Sequence, residues 1–347
     1  MIGESIIFIK VLKFKKMIII LIIVILILSI SFVSPNVLSV TTKKKAEPQR
    51  ITWVDFGVSY EALSDTLEID ISSYNKDTRY DWIELLAYLG SKYGGDFKKY
   101  KKSDLMKLMS ECEKGQKIKN FAKKMQNYNY YYEAYKAVLG GFVGEYEIET
   151  DEKDDMGRNI TQRRYGLKVF SPIAKGYSFS HYDDFGSSRS YGFRRKHLGH
   201  DLMGGVGTPI IAIESGTVEN VGWNQYGGWR IGIRSFDKKR YYYYAHLRKD
   251  HPYNDMYEGK TVKAGDVIGY LGMTGYSTKE NVNNINTPHL HLGMELIFDE
   301  NFREEKYEIW VDLYVITKLL EKNKSIVIKE NNEYYRKYDI FIPETNE

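Results

Sequence analysis

From about residue 185 the chain breaks into short β-like runs separated by turn residues. The runs are P-I-I-A-I, G-T-V-E-N-V-G-W, W-R-I-G-I-R-S, Y-Y-Y-Y-A-H-L, D-V-I-G-Y-L-G and H-L-H-L-G-M-E-L-I-F. Runs this short, divided by Tyr226-Gly227-Gly228 and Ala264-Gly265-Asp266, point to an antiparallel all-β unit over residues 185–300. Successive side chains on a strand alternate faces, so His289 and His291 project together, with Leu290 on the other side. The same rule puts Tyr242, Tyr244 and His246 on one face, and Tyr243 and Ala245 on the other.

Upstream the period is helical. In D-W-I-E-L-L-A-Y-L-G-S-K-Y-G-G, Trp82, Leu85, Leu86 and Leu89 recur at helix spacing, and Gly94-Gly95 supply a stop. Ser103 is a candidate cap for a second helix, on which Leu105, Leu108, Met109 and Cys112 form an apolar stripe. A third runs through Y-Y-Y-E-A-Y-K-A-V-L to Gly140-Gly141. Residues 52–142 therefore read as a small helical domain. It holds no histidine, so its expected role is binding or spacing, with a protein partner as a candidate. Residues 143–184 read as a connector, and 301–347 as a closing helix with a charged tail.

The N-terminus sets the compartment. Residues 1–16 form a basic segment ending in Lys10, Lys13, Lys15 and Lys16, and Met17–Val33 is a charge-free apolar run. Extended to Val37, it approaches the ~20 residues of a spanning helix. Residues 17–37 are a membrane anchor or a signal segment. The anchor is favoured, because no A-x-A cleavage site follows. Lysines before the run place the N-terminus in the cytoplasm. After a polar linker at 38–51, the rest of the chain is expected outside the membrane. The fold class is thus α+β multidomain: an N-terminal transmembrane helix, a small helical domain and a C-terminal antiparallel all-β domain.

A net charge of +4, spread along the chain, with no basic patch interleaved with aromatics, argues against nucleic acid. One cysteine, Cys112, excludes an intrachain disulfide framework and a Cys-rich zinc module. The histidines are more informative. His197, His200, His246, His251, His289 and His291 all fall inside the β-rich unit, with His181 just before it. H-L-G-H-D brings His197 and Asp201 close, and Gly199 argues against a helix there. Imidazole nitrogen and carboxylate oxygen are donors that zinc accepts. H-L-H-L-G-M-E also fits the H-x-H-x-x-x-E run of cupins. A cupin needs a further histidine downstream, and none follows His291.

Five blocks in order, H-x-G-x-D, G-T-P-I-I-A-I-E-S-G-T-V, Y-A-H-L, K-A-G-D-V-I-G-Y-L-G-M-T-G-Y-S and P-H-L-H-L, resemble the lysostaphin/LytM-type zinc metallopeptidases. The resemblance covers about residues 185–298. It implies an antiparallel β unit with a groove, and hydrolysis of peptide bonds in bacterial peptidoglycan. Position by position, it implies His197, Asp201 and His291 as ligands of one catalytic zinc ion, with His246 and His289 flanking the reacting water. His200, at a variable position of the motif, is the alternative ligand. Tyr191 is a candidate to steady the tetrahedral intermediate, while His181 and His251 match nothing and read as surface residues. The stretch from Thr274 to Pro288 is longer than the family's usual link and is expected to form a loop over the groove. The whole chain is then expected to be a membrane-anchored peptidoglycan endopeptidase. The alternative is a catalytically silent envelope scaffold or activator on the same fold.

Overall fold

Side-chain caps set where the helices begin. The computed structural model describes residues 56–190, 194–298 and 308–342. Helix α1 (Tyr60–Ser73) starts where the Ser59 hydroxyl accepts from the Ala62 amide. Helix α2 (Trp82–Tyr93) starts at Asp81, whose carboxylate accepts from the amides of Ile83 at 2.7 Å and Glu84 at 3.0 Å. It stops at Gly94, which takes the left-handed conformation with φ 64°. Helix α3 (Lys102–Glu113) buries Leu105, Leu108, Met109 and Cys112. Ser103 lies inside its first turn and is not the cap, since the helix starts after Lys101 without a side-chain cap. A short α4 (Ile118–Ala122) and then α5 (Tyr128–Leu139), closed at Gly140, complete the helical region.

Residues 143–167 form a hairpin of β1 (Val143–Lys153) and β2 (Asn159–Leu167) instead of an irregular connector. Its charged turn is fastened by Asp154, which accepts from the amides of Met156 and Arg158, each at 2.9 Å. Then follow β3 (Phe179–Tyr182), the small hairpin of β4 (Ser188–Ser190) and β5 (Arg194–Lys196), β6 (His200–Gly204) and β7 (Pro209–Ile211). The long strands β8 (Gly216–Asn224), β9 (Gly228–Ser235) and β10 (Arg240–Ala245) precede β11 (Thr261–Val262), β12 (Val267–Tyr270) and β13 (His289–Leu296). The main sheet runs β11-β8-β9-β10-β13-β6-β3, every pairing antiparallel.

Past residue 307 the expected closing helix is only partly formed. Strand β14 (Ile309–Trp310) pairs with β13, and α6 occupies only Tyr314–Leu320. The charged tail folds as a hairpin of β15 (Val327–Glu330) and β16 (Glu333–Arg336), and β17 (Ile340–Phe341) pairs with β1. Among the described residues no helix is long and apolar enough to cross a membrane. The segments 1–16, 17–37 and 38–51 lie outside the described residues, as does Tyr191.

The sheet has two chemically distinct faces. Ile231, Ile233, Tyr242, Tyr244, Leu290, Leu292 and Met294 are buried on one and share an apolar core with Leu63, Leu86 and Val138 of the helices and Leu319 of α6. The other face carries Asp201, His289 and His291 beside Tyr241, Tyr243 and Arg230. The helical region is also tied to the sheet by charge. Buried Arg240 donates to both carboxylate oxygens of Glu214, at 2.8 and 2.9 Å, and to the Ala137 carbonyl of α5 at 3.2 Å. The Tyr242 hydroxyl donates to the same Glu214 at 2.7 Å, so the buried charges are paired, as burial demands.

Candidate metal centre

In the antiparallel register His291 on β13 stands directly opposite Asp201 on β6. His291 Nδ1 lies 3.0 Å from Asp201 Oδ1. His197, in the turn before β6, places its Nε2 3.1 Å from the same oxygen and 3.0 Å from His291 Nδ1. Three donors from three side chains thus form a nearly equilateral triangle. Gly199 makes this possible: a Cβ there would lie 2.4 Å from Cε1 of His291 and 2.8 Å from the Leu292 carbonyl.

These residues fit a metal ion on geometry and chemistry. A four-coordinate ion with bonds of about 2.0–2.1 Å separates its ligand atoms by about 3.3 Å, close to the observed edges. Two imidazoles and one carboxylate are a donor set that zinc-type ions take. The His197 Nδ1–H donates to Asp184 Oδ1 at 2.7 Å. This turns a lone pair on Nε2 toward the triangle, as an orienting carboxylate does for metal-bound histidines. Among the described residues, His197, Asp201 and His291 are the one His/Cys/Asp/Glu group so placed.

A further layer was not foreseen from sequence. Asp184 also accepts from Ser187 Oγ at 3.0 Å and from Arg189 Nη2 at 2.5 Å, and the same Arg189 nitrogen donates to Asp201 Oδ2 at 2.9 Å. Burial by itself would raise the Asp201 pKa. Hydrogen bonds from His197 and His291, and the charges of His291 and His289, outweigh it and hold the carboxyl well below its ordinary range. Asp201 is therefore anionic at neutral pH, the charge state a metal ligand needs. Asp184 and Arg189 sit in an aperiodic polar stretch and carry no sequence signal of their own.

Beside the triangle are His246 and His289. Strand period would send His246 to the core with Tyr242 and Tyr244, but it does not go there. Strand β10 ends at Ala245, and His246 adopts φ 62°. This left-handed residue turns the imidazole onto the groove side, with ring centroids 4.8 Å from His289 and 5.7 Å from His291. Its Nδ1–H donates to the Thr274 carbonyl at 2.9 Å, and the His289 Nδ1–H donates to the Thr287 carbonyl at 2.8 Å. Both rings then keep Nε2 as a proton acceptor. Burial, reinforced by His289 and His291, pushes the His246 pKa well below its ordinary 6.5.

The remaining histidines face elsewhere. His200 adjoins Asp201 on a strand and so points to the opposite face, which removes it as the alternative ligand. Its Nε2 lies 2.9 Å from His181 Nδ1, and His181 Nε2 lies 2.9 Å from Glu321. His181 is thus half-buried with partners, unlike the surface residue expected. His251 is exposed and pairs with Glu333 at 2.6 Å. Over the triangle opens a cavity of about 220 Å³, lined among others by Arg189, His246, Tyr276, Asn284, Ile285 and Asn286. The loop after Thr274 therefore does form one wall of the groove.

Comparison with known proteins agrees with this architecture. The family model described as peptidase family M23 matches residues 195–301. An L-Ala–D-Glu endopeptidase of Bacillus subtilis (strain 168) is 38% identical over 134 residues, which are 39% of this chain and 38% of the relative. Lysostaphin of Staphylococcus simulans is 43% identical over 96 residues, 27% of this chain and 17% of its own length. The chain therefore spans well under half of these curated relatives. The crystal structure of a lytM protein from Ruminococcus gnavus ATCC 29149 superposes with a TM-score of 0.50 at 23% identity, covering 78% of this chain and 91% of that one. That likeness concerns the fold, and it extends well beyond the segment matched by the family model.

Proposed function

We propose that this chain, whose residues 195–301 match the model of peptidase family M23 and resemble the lysostaphin/LytM type, is a zinc-dependent endopeptidase that hydrolyses peptide bonds in bacterial peptidoglycan. The observation that carries the reading is the donor triangle of His197, Asp201 and His291 with two proton-accepting histidines beside it. A pseudoenzyme would have no need to keep all five side chains in this arrangement, which favours the enzyme over a silent scaffold.

His197 Nε2, Asp201 Oδ1 and His291 Nδ1 would hold one zinc ion. When bound, it supplies Lewis acidity that polarises the scissile carbonyl and acidifies water. His246, kept neutral by burial, accepts a proton from the attacking water at Nε2. That proton then goes from His246 to the leaving amine, and His289, its ring 4.8 Å from that of His246, offers Nε2 to the second proton of the water as the product carboxylate forms. Asp184 holds the His197 tautomer, and Thr274 and Thr287 hold those of His246 and His289. The relative named as an L-Ala–D-Glu endopeptidase supports peptidoglycan peptides as the substrate class.

The reading includes the site of action. The lysines before Met17–Val33 keep the N-terminus inside, and the apolar run anchors the chain so that the groove works outside the membrane. The test is release of peptide fragments from purified sacculi by the purified chain. Release should stop with a chelator, return with zinc and be lost in His289→Ala. Undiminished release by His289→Ala would contradict the assignment.

A further inference from the structure

The β4–β5 hairpin sets Arg189 directly opposite Arg195. Both are half-buried, while their neighbours Ser188, Ser190, Arg194 and Lys196 are exposed. Like charges facing each other across a strand pair are destabilising. Arg189 is neutralised by Asp184 and Asp201. Arg195 is not: its Nη2 donates to the Tyr276 hydroxyl, and its guanidinium lies 5.0 Å over the Tyr276 ring. A second unneutralised cation, Arg230, rises from the groove face of β9. The Nε atoms of Arg195 and Arg230 are both shut off from solvent without a hydrogen-bond partner. Among the described residues neither guanidinium has a carboxylate partner.

The two cations bear on one spot: Arg230 shares the strand face of Gly232, which pairs with Tyr243, and the Arg195 guanidinium lies 5.9 Å from the ring of Tyr226, whose neighbour Gly227 packs against the Tyr243 hydroxyl. Burial raises the pKa of the Tyr243 hydroxyl, which accepts from Asn224 at 3.2 Å, and Arg230 and Arg195 both pull it down. Tyr276 links this spot to the reaction centre, because its ring lies 5.7 Å from that of His246. Consecutive residues of a peptide are about 3.8 Å apart at Cα, so a group here meets the substrate within a residue or two of the bond under attack. A planar guanidinium with free N–H groups matches a carboxylate. Each guanidinium is half-buried with its Nε shielded from water, and an anionic ligand offsets the partial desolvation of its charge.

We propose that Arg195 and Arg230, closed by Tyr276, form a subsite for a free carboxylate of the substrate, so that the preferred substrate is an anionic stem peptide and not an uncharged glycine bridge. The proposal rests on the endopeptidase reading above. It is tested with the metal-loaded full chain and two probes: L-Ala-γ-D-Glu-L-Lys-D-Ala-D-Ala, and the same peptide with its D-Glu and C-terminal carboxylates converted to carboxamides. Both equilibrium binding and kcat/KM are measured. The wild type should favour the acid at least tenfold. Arg195→Gln and Arg230→Gln should each shrink that ratio toward one by weakening the acid alone, and Arg195→Lys should restore part of it. Equal handling of both peptides by the wild type, or an equal loss for both in the variants, would overturn the subsite. If neither peptide is cleaved while sacculi are digested, the stem-peptide preference is overturned; if sacculi resist as well, the hydrolase reading fails, and the binding ratio still decides the subsite.

Discussion

Asp201 and His291 face each other on adjacent antiparallel strands, and their donor atoms meet at 3.0 Å. This contact depends on a residue with no side chain. The His291 ring fills the space that a Cβ on Gly199 would take.

Gly199→Ala should therefore displace the ring and cost stability as well. The new methyl meets His291 Cε1 at 2.4 Å and a backbone carbonyl at 2.8 Å, and overpacking of this kind costs about 1–3 kcal/mol. Urea denaturation together with zinc titration would show both losses. Unchanged zinc affinity would mean that the ring has room to move.

Asp184→Asn keeps the shape but weakens the acceptor for His197 Nδ1–H. Loss of such an orienting partner typically lowers metal affinity about 10–100-fold. Competition with a chromophoric chelator measures it directly, and an unaltered dissociation constant would remove Asp184 from the site.

His246→Gln should keep its metal and lose turnover, with a fall in kcat of about 10²–10⁴ for removal of a general base. Its pH profile follows from burial. Because the pKa of the buried imidazole is lowered, the neutral, proton-accepting form persists below pH 6.5. The acid limb of kcat/KM should lie below that value, and a profile already falling at pH 7 would contradict the role.

His200 makes a prediction about stability. Burial, then the charge of His181, lowers its pKa from 6.5 to about 4. The unfolded chain thus binds this proton first as the pH falls. Stability present above about pH 6.5 is lost on the way down to about pH 4, by roughly 3 kcal/mol at most. Urea midpoints of chelator-treated protein at pH 7 and 4.5 should drop for the wild type and drop less for His200→Gln. Parallel losses would place the sensitivity elsewhere.

The sequence was most legible where a period governs. The two-residue repeat of β13 put His289 and His291 on one face, and the helix spacing of α2 and α3 matched their buried stripes. It failed where a single backbone torsion or a long-range contact decides. Nothing local announces that His246 leaves the strand with a positive φ, so strand alternation gives it the wrong face even though the five-block pattern singles it out. Charge density in E-T-D-E-K-D-D-M-G-R-N concealed a hairpin whose strands are half exposed. The tail strand β17 forms only by pairing with β1, far away in sequence. Asp184 and Arg189 gain their roles purely from folding over the triangle.

His197, Asp201 and His291 should together grip one metal ion. Elemental analysis of the purified chain, after dialysis against trace zinc, tests it most directly when run beside His291→Ala. The wild type should carry one equivalent of zinc per chain and the variant almost none. A metal-free wild type, or a full equivalent retained by His291→Ala, would contradict it.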